Sequence, residues 1–588
     1  MVTNLNISDL IVKTLEKKRC KKIFFVPGGA IFHLINAFYK SKIELVPMLH
    51  EQSCVIAAES YSKLENKIGV ALVTAGPGLS NAVTGILSSY VDESPILLLS
   101  GNCQSTYLAN QENRIYGPQG ISARNIYSKI TKVTYEVEDK TFNPRKIVEI
   151  INKAENVPKG PVVIQIPLDL QKKKIDKNSL FNLNSFFRKK KNKTVFSKKN
   201  KNKFQTLFIQ SKKPFLLIGG GCWSHKSKLL LKKIASSNKI SIGLTWTAKD
   251  FLNNYSSSYC GLPGYFNNRS ANNALYYSDL FISVGSRLDY LQTGYQNNKL
   301  GIKQKILFFN PSQKELKKVK FSNCIKYKSY SEDILSFIYK NLNKFNLTKS
   351  WVLEQNQKYL DSKDEMVDKR NSKKICPYNL ISTLSKIKDT KTYIAGSSGG
   401  SAEISFLNYK VNEGTKFINS PGLGSMGFAI PSIVGALESS NYNNKIITVV
   451  GDGGLQFNIQ ELATISKYKK RKLLIFVLNN DGYDSMNRSL KRYFNISKND
   501  NPQSRIIFPN LKKLCGAYNI GYKKMNQNKN LEFTLKKLWR SINEPTIIEV
   551  ITKINIDSFP KIAPKMTKKG KIESGSLIDI SPILKNNY

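Results

Sequence analysis

No run of eighteen apolar residues occurs in the chain, so the sequence offers no membrane-spanning helix. The first residues, MVTNLNISDLIVKTLEKK, have the spacing of a capped amphipathic helix and lack the apolar centre of a secretory leader. The eight cysteines are scattered, with no CxxC and no paired spacing. That pattern speaks against a zinc site and for a reducing compartment, and the expected location is cytoplasmic. Acidic residues are few, 42 against 91 Lys and Arg, for a formal net charge of +49. Such an excess raises the question of nucleic acid. The lysines, however, are spread through every segment beside abundant Asn and Ile, and no basic patch with interleaved aromatics stands out. The densest run, RKKKNKTVFSKKNKNK at 188–203, reads as a solvated linker, and no specific nucleic-acid partner is expected.

What is present is a series of strand–turn–helix units, best seen from Lys445 to Asn487. The apolar run Ile446 to Val450 breaks at Gly451-Asp452-Gly453-Gly454. Leu455, Ile459, Leu462, Ile465 and Tyr468 then recur at helical spacing. A second buried-looking strand, Leu473 to Leu478, ends in Asn479-Asn480-Asp481-Gly482. Oxygen ligands thus stand at the carboxyl ends of two strands, where open α/β sheets bind their ligands. Mg²⁺ takes hard oxygen ligands, usually one or two carboxylates with phosphate oxygens. Asp452 offers a carboxylate, Asn480 an amide oxygen, and the backbone near Gly482 a carbonyl. Gly451, Gly453 and Gly454 let a diphosphate approach the main chain at a helix N-terminus.

At 588 residues the chain is long enough for several domains. In the first, Lys22 to Val26 leads to Gly28-Gly29-Ala30, Glu44 to Met48 leads to His50-Glu51-Gln52, and Val70 to Thr74 leads to Gly76-Pro77-Gly78. Helical segments are expected over 31–39, 53–64 and 81–91, with further strands at 96–100 and 162–166. The second α/β segment has Pro214 to Ile218 before Gly219-Gly220-Gly221, Leu280 to Val284 before Gly285-Ser286-Arg287, and Leu307 to Phe309 before Asn310. The expected fold is α/β, three doubly wound parallel-sheet domains at 1–172, 204–345 and 376–556. The basic linker 173–203, a polar linker 346–375 and a tail 557–588 that wraps a neighbouring surface complete the chain.

The motifs VPGGAIFHLINAF, LHEQSCVIAAESYSK, GVALVTAGPGLSNAVTGILSSYVDESPILLLSG, NSPGLGSMG and GDG with NN 28 positions on resemble the thiamin-diphosphate enzymes, in their acetolactate synthase-like group. The resemblance covers nearly the whole chain. It implies that Gly28, Gly29, Ala30, Pro77 and Gly78 border the cofactor's pyrimidine and that Glu51 bonds its N1′. It further implies that Met426 props the bent cofactor, that Asp452, Asn480 and Gly482 hold Mg²⁺, and that Gln119 is the active-site glutamine. TWTAKDFL, CGLPGYF and VGSRLDYLQTGY look like the group's central domain, which makes Gly219, Gly220, Gly221, Gly285, Arg287 and Asn310 candidates for FAD. The resemblance also implies a homo-oligomer, dimer or tetramer, with Glu51 of one chain meeting Asp452 of another.

The implied reaction decarboxylates a 2-oxo acid such as pyruvate and passes the two-carbon unit to a carbonyl acceptor. Two departures concern that acceptor. Where acetolactate synthases carry an Asp-Arg pair, this chain has Tyr290-Leu291, and where they carry a Trp it has Ser489. A carboxylate acceptor would prefer a bidentate guanidinium. GYDSMNRSLKRYF and the SGSLIDISP tail resemble thiamin enzymes of surface-polysaccharide pathways, so a keto-sugar nucleotide is one expected acceptor, with Arg488, Lys491 and Arg492 as candidates for its diphosphate. A true acetolactate synthase and a silent regulatory subunit are the other readings.

Overall fold

The computed structural model describes residues 5–582 apart from 109–113, 116, 141, 176–197, 295–299, 301–302, 345–348, 363–373, 442, 498–499, 501–504, 528, 554–555 and 567–571. Three six-stranded parallel sheets follow one another. The first holds β1 (Lys22–Phe25), β2 (Glu44–Pro47), β3 (Gly69–Val73), β4 (Ile96–Asn102), β5 (Val133–Glu136) and β6 (Val162–Pro167), in the order β2-β1-β3-β4-β6-β5. β3, β4 and β6 are buried along their whole length, as strands covered by helices on both faces must be.

The second sheet holds β7 (Pro214–Ile218), β8 (Ser241–Leu244), β9 (Tyr259–Gly261), β10 (Leu280–Val284), β11 (Lys305–Asn310) and β12 (Cys324–Lys328), in the order β12-β11-β10-β7-β8-β9. The third holds β13 (Thr392–Ala395), β14 (Lys416–Ile418), β15 (Ile446–Gly451), β16 (Leu473–Asn479), β17 (Gly521–Met525) and β18 (Pro545–Ile551), in the order β14-β13-β15-β16-β18-β17. The winding switches direction between β1 and β3, between β7 and β10, and between β13 and β15. Ligands of open sheets bind at such reversals. Gly28 with Gly76–Gly78, Gly219–Gly221 with Gly285, and Gly396 with Asp452 stand there.

The first and third domains pack through two helices, Glu51–Glu65 and Ala429–Leu437. A Cβ on Gly435 would lie 2.2 Å from the Ala57 carbonyl oxygen, so glycine permits the close crossing. Ser60 Oγ donates to the Ser432 carbonyl at 2.9 Å.

Several local expectations change. The helix expected from Ser53 begins at Glu51 itself, because the His50 side chain caps it by accepting from Gln52 N–H. The periodic stretch Leu455 to Tyr468 is two short helices, Asp452–Gln456 and Glu461–Ile465. Asn458 lies in the break, its side chain donating to the Gly427 carbonyl and accepting from Ser53 Oγ. The polar segment 346–375 contains a helix, Lys349–Ser362, anchored by buried Trp351, Val352 and Tyr359. Most of the basic linker, 176–197, lies outside the described residues, and a helix, Lys198–Gln210, follows it. The tail wraps the chain's own central domain: Ile562 N–H donates to the Tyr265 carbonyl at 2.8 Å, and Asn272 Nδ2 to the Leu577 carbonyl at 2.7 Å. Among the described residues no helix is long and apolar enough to cross a membrane.

Candidate active site

Asp452 opens its short helix at the end of β15 and is 6% exposed. Its carboxylate accepts three main-chain N–H groups: Gly453 on Oδ1 at 2.7 Å, and Asn480 and Gly482 on Oδ2 at 3.1 and 3.2 Å. β15 and β16 are paired neighbours, which brings residues 28 apart in sequence together. Burial pushes the Asp452 carboxyl above its ordinary range, and those N–H groups pull it partly back.

Asn480 supplies the decisive feature. Its Oδ1 is buried and has no hydrogen-bond partner among the described residues. An orphaned amide oxygen is costly unless something electropositive meets it. A hard cation would satisfy it together with the Asp452 carboxylate, and the donor set is of the kind Mg²⁺ takes. The Gly482 carbonyl, the third expected ligand, accepts from Asp484 N–H at 3.0 Å and keeps a second lone pair. No group of three or more His, Cys, Asp or Glu side chains gathers for a metal among the described residues.

Met426, Asp452, Gly453, Asn480, Gly482 and Tyr483 line one cleft. Met426 is half-buried between Gly424 and Gly427, both at positive φ (68° and 84°), which sets the turn that presents it. A Cβ on Gly453 would lie 2.5 Å from the Tyr483 ring, so that glycine lets the ring close on the helix start. Among the described residues, those lining the cleft belong to the third domain, and Glu51 is not one of them.

Glu51 sits at the carboxyl edge of the first sheet, 9% exposed. Asn81 Nδ2 donates to its Oε2 at 3.0 Å, and its Oε1 faces Gly78, where a Cβ would stand 3.6 Å away. Gly28 packs on Thr74, and Ala30 N–H donates to Thr74 Oγ1 at 3.4 Å, so the first glycine turn adjoins the Gly76–Gly78 turn. Pro77 starts the helix Pro77–Asn81 that carries Asn81. Gly29 has open space around its Cα. Gln119 is exposed, at φ 59°, and its Cβ lies against Gly76. Glu51, Gln119 and the two glycine turns therefore share one edge. Reading the sequence missed Asn81, although its place one turn beyond Gly78 was visible.

In the central domain the candidate flavin glycines pack on one another. A Cβ on Gly219 would stand 2.3 Å from the Gly285 carbonyl oxygen, and Gly221 N–H donates to that oxygen at 2.9 Å. Asn310 Nδ2 donates to the Ser286 carbonyl at 2.9 Å, and Arg287 Nη1 to that of Val91. Gly220, Gly221, Gly285, Arg287 and Asn310 line an interdomain cleft. Its charge is mixed, with Asp92, Glu93, Asp250 and Asp289 facing Lys63, Lys159, Lys228 and Arg287. Close packing accounts for the glycines.

Residues 5–123 match the family described as thiamine pyrophosphate enzyme, N-terminal TPP binding domain, 202–327 its central domain, and 398–550 its C-terminal TPP binding domain. The chain belongs to the thiamine pyrophosphate enzymes, in their acetolactate synthase-like group. Across 94% of both chains it is 28% identical to an acetolactate synthase large subunit from Cyanidium caldarium. It is 28% identical to one from Buchnera aphidicola, over 96% of this chain and 97% of the relative. A third, from Lactococcus lactis, is 27% identical over 94% of each.

Two further positions of this thiamin enzyme are those where its sequence departs from the acetolactate synthase pattern. Tyr290 is exposed and Leu291 half-buried in the central domain, in the short helix Tyr290–Thr293 that Asp289 caps. Ser489 turns its hydroxyl back to the Ser485 carbonyl at 3.0 Å. Arg488, expected as a phosphate contact, is instead committed: Nε donates to Asp484 at 3.0 Å and Nη1 to Asp557. Arg492 pairs with the same Asp557.

Proposed function

We propose that this thiamin enzyme is a Mg²⁺-dependent 2-oxo acid decarboxylase and carboligase, taking a two-carbon unit from pyruvate to a carbonyl acceptor without a carboxylate, such as a keto-sugar. The carrying observation is the orphaned Asn480 Oδ1 beside the buried Asp452 carboxylate, at the sheet reversal where a diphosphate would lie. When bound, thiamin diphosphate supplies the electron sink for decarboxylation. Asp452 and Asn480 would anchor its metal, Met426 would hold its bend, and Gly453 leaves the main chain open to the diphosphate. Glu51 would hold and move the proton at N1′ of the pyrimidine, with Asn81 fixing the carboxylate's rotamer. Gln119 would stand beside the reacting atoms, and Gly28, Gly29, Ala30, Pro77 and Gly78 would border the ring.

Glu51 is absent from the lining of its own chain's diphosphate cleft, which supports a twofold assembly with each site built from two chains. A flavin against Gly220, Gly221 and Gly285 would have a structural role only, since no step proposed is a redox step. The loss of a guanidinium at Leu291 and the commitment of Arg488 to two carboxylates support an acceptor other than a second pyruvate. The test is a product assay with pyruvate, thiamin diphosphate and Mg²⁺. Carbon dioxide release that rises with an added sugar or aldehyde acceptor is expected. Acetolactate from pyruvate alone would favour a true acetolactate synthase, and no release at all would end the reading.

A further inference from the structure

Met426 stands in a loop, 419–428, that joins β14 to the helix Ala429–Leu437. The first domain holds this loop at both ends. At the near end Lys63 Nζ donates to the Asn419 carbonyl at 2.7 Å, and Asp92 Oδ1 accepts from Gly422 N–H at 3.1 Å. A Cβ on Gly422 would stand 2.5 Å from that same carboxylate oxygen, so the loop comes this close because residue 422 is glycine. At the far end Asn458 Nδ2 donates to the Gly427 carbonyl at 2.8 Å, while its Oδ1 accepts from Ser53 Oγ at 3.1 Å. Lys63 Nζ also lies 5.7 Å from the centre of the Phe428 ring. Ser53 and Lys63 belong to one helix, Glu51–Glu65.

Lys63 is itself fixed by charge. Its ammonium meets Glu59 Oε1 at 2.8 Å and Asp92 Oδ2 at 3.1 Å, and both carboxylate side chains are fully shielded from solvent. Ser88, Ser89 and Ser94 each donate to Glu59. A buried cluster of this kind adds little net stability over apolar packing of the same volume. What it does supply is a donor and an acceptor at fixed places. The donor is used on the Asn419 carbonyl and the acceptor on Gly422 N–H, and Met426 follows four residues later in the lining of the diphosphate cleft.

We propose that Lys63 and Asp92 are positioning residues for Met426: by pinning Asn419 and Gly422 they keep the thioether where it props the bent cofactor. This rests on the reading of Met426 given above. Neither residue is among those lining the diphosphate cleft; both line the interdomain cleft, so they act through the loop alone. A misplacement of about 1 Å in a site can cost about 10²-fold in rate, so loss of a pin should show in kcat.

The experiment is a double-mutant cycle on the full chain, with pyruvate, an aldehyde acceptor, thiamin diphosphate and Mg²⁺, and carbon dioxide release giving kcat. Lys63→Met removes the pin and keeps an aliphatic stem; alone it should lower kcat about tenfold or more. In a Met426→Ala chain, where the prop is already gone, the same change should cost about twofold or less, because residues that act through one another are not additive. A merely structural loss would lower kcat by the same factor in both backgrounds, and that result overturns the proposal. So does a kcat for Lys63→Met within about twofold of wild type. Should the methionine variant fail to show a cooperative melt, Lys63→Gln takes its place under the same criteria, since its uncharged amide can still donate to the buried carboxylates. Met426→Ala as active as wild type overturns the proposal together with the prop reading, and leaves the carboligase reading standing. No carbon dioxide release by the wild type overturns all three.

Discussion

The main-chain N–H of Asn480 donates to Asp452 Oδ2 at 3.1 Å, while the side-chain Oδ1 of the same asparagine is buried with no partner among the described residues. The two residues close one ring of contacts and leave one oxygen pointing at nothing. That combination fits a site completed by a cation.

Removing the orphan should therefore matter through the metal and little through the apoprotein. For Asn480→Ala the Tm without ligand should stay close to wild type, since no protein hydrogen bond of that oxygen is lost. The rise in Tm on adding thiamin diphosphate with Mg²⁺ should shrink, because stabilisation by a ligand scales with its affinity. Thermal melts with and without cofactor and chelator check this. An undiminished cofactor shift in the variant would contradict the assignment of Asn480.

The crossing of the helices Glu51–Glu65 and Ala429–Leu437 gives a prediction about stability. Gly435→Ala would drive a Cβ to 2.2 Å from the Ala57 carbonyl oxygen. It should cost at least about 1–3 kcal/mol, the usual scale of overpacking. Gly516→Ala is the control, since that helical glycine has nothing within 4 Å of the built Cβ and should gain about 0.4–1 kcal/mol. Denaturant titrations should move the two midpoints in opposite directions.

Much of this was legible because the informative residues end apolar runs. Ile446 to Val450 and Leu473 to Leu478 mark β15 and β16 to within a residue, and the Gly–Asp–Gly and Asn–Asn breaks follow at the carboxyl ends where a parallel sheet needs turns. Edge strands were harder. β5 (Val133–Glu136), β12 (Cys324–Lys328) and β17 (Gly521–Met525) are half-buried and carry polar residues, so they lack the continuous apolar signal. The break at Asn458 was invisible, because helical spacing says nothing of the Gly427 carbonyl and Ser53 hydroxyl that hold its side chain. The commitment of Arg488 depends on Asp557, 69 residues away in the tail, a pairing no local pattern encodes.

Lys249 leads to a prediction about pH. It is 2% exposed, its ammonium donates to the Phe406 carbonyl, and burial pushes its pKa down to about 7, with Lys410 adding to the effect. In the unfolded chain it keeps its proton to about 10.4. Between these values the unfolded state binds more protons, so this group makes stability rise with pH. Lys249→Met should remove that contribution, giving a variant whose Tm relative to wild type is highest near pH 6.5 and declines toward pH 9.5. A difference in Tm that is flat or rises across this range would contradict the buried-lysine account.

The central claim is that Glu51 of one chain and Asp452 of another build one site, and mixing inactive chains tests it most directly. Glu51→Gln and Asp452→Asn should each lose activity alone, the former by about 10²–10⁴ in rate. Co-expressed or refolded together in equal amounts, half of the dimers are hybrids in which one site carries both changes and the other neither. Activity should return to about a quarter of wild type per chain, as a twofold assembly with shared sites requires. A mixture no more active than its separate components would contradict the account, because it would place both residues in the service of a site within a single chain.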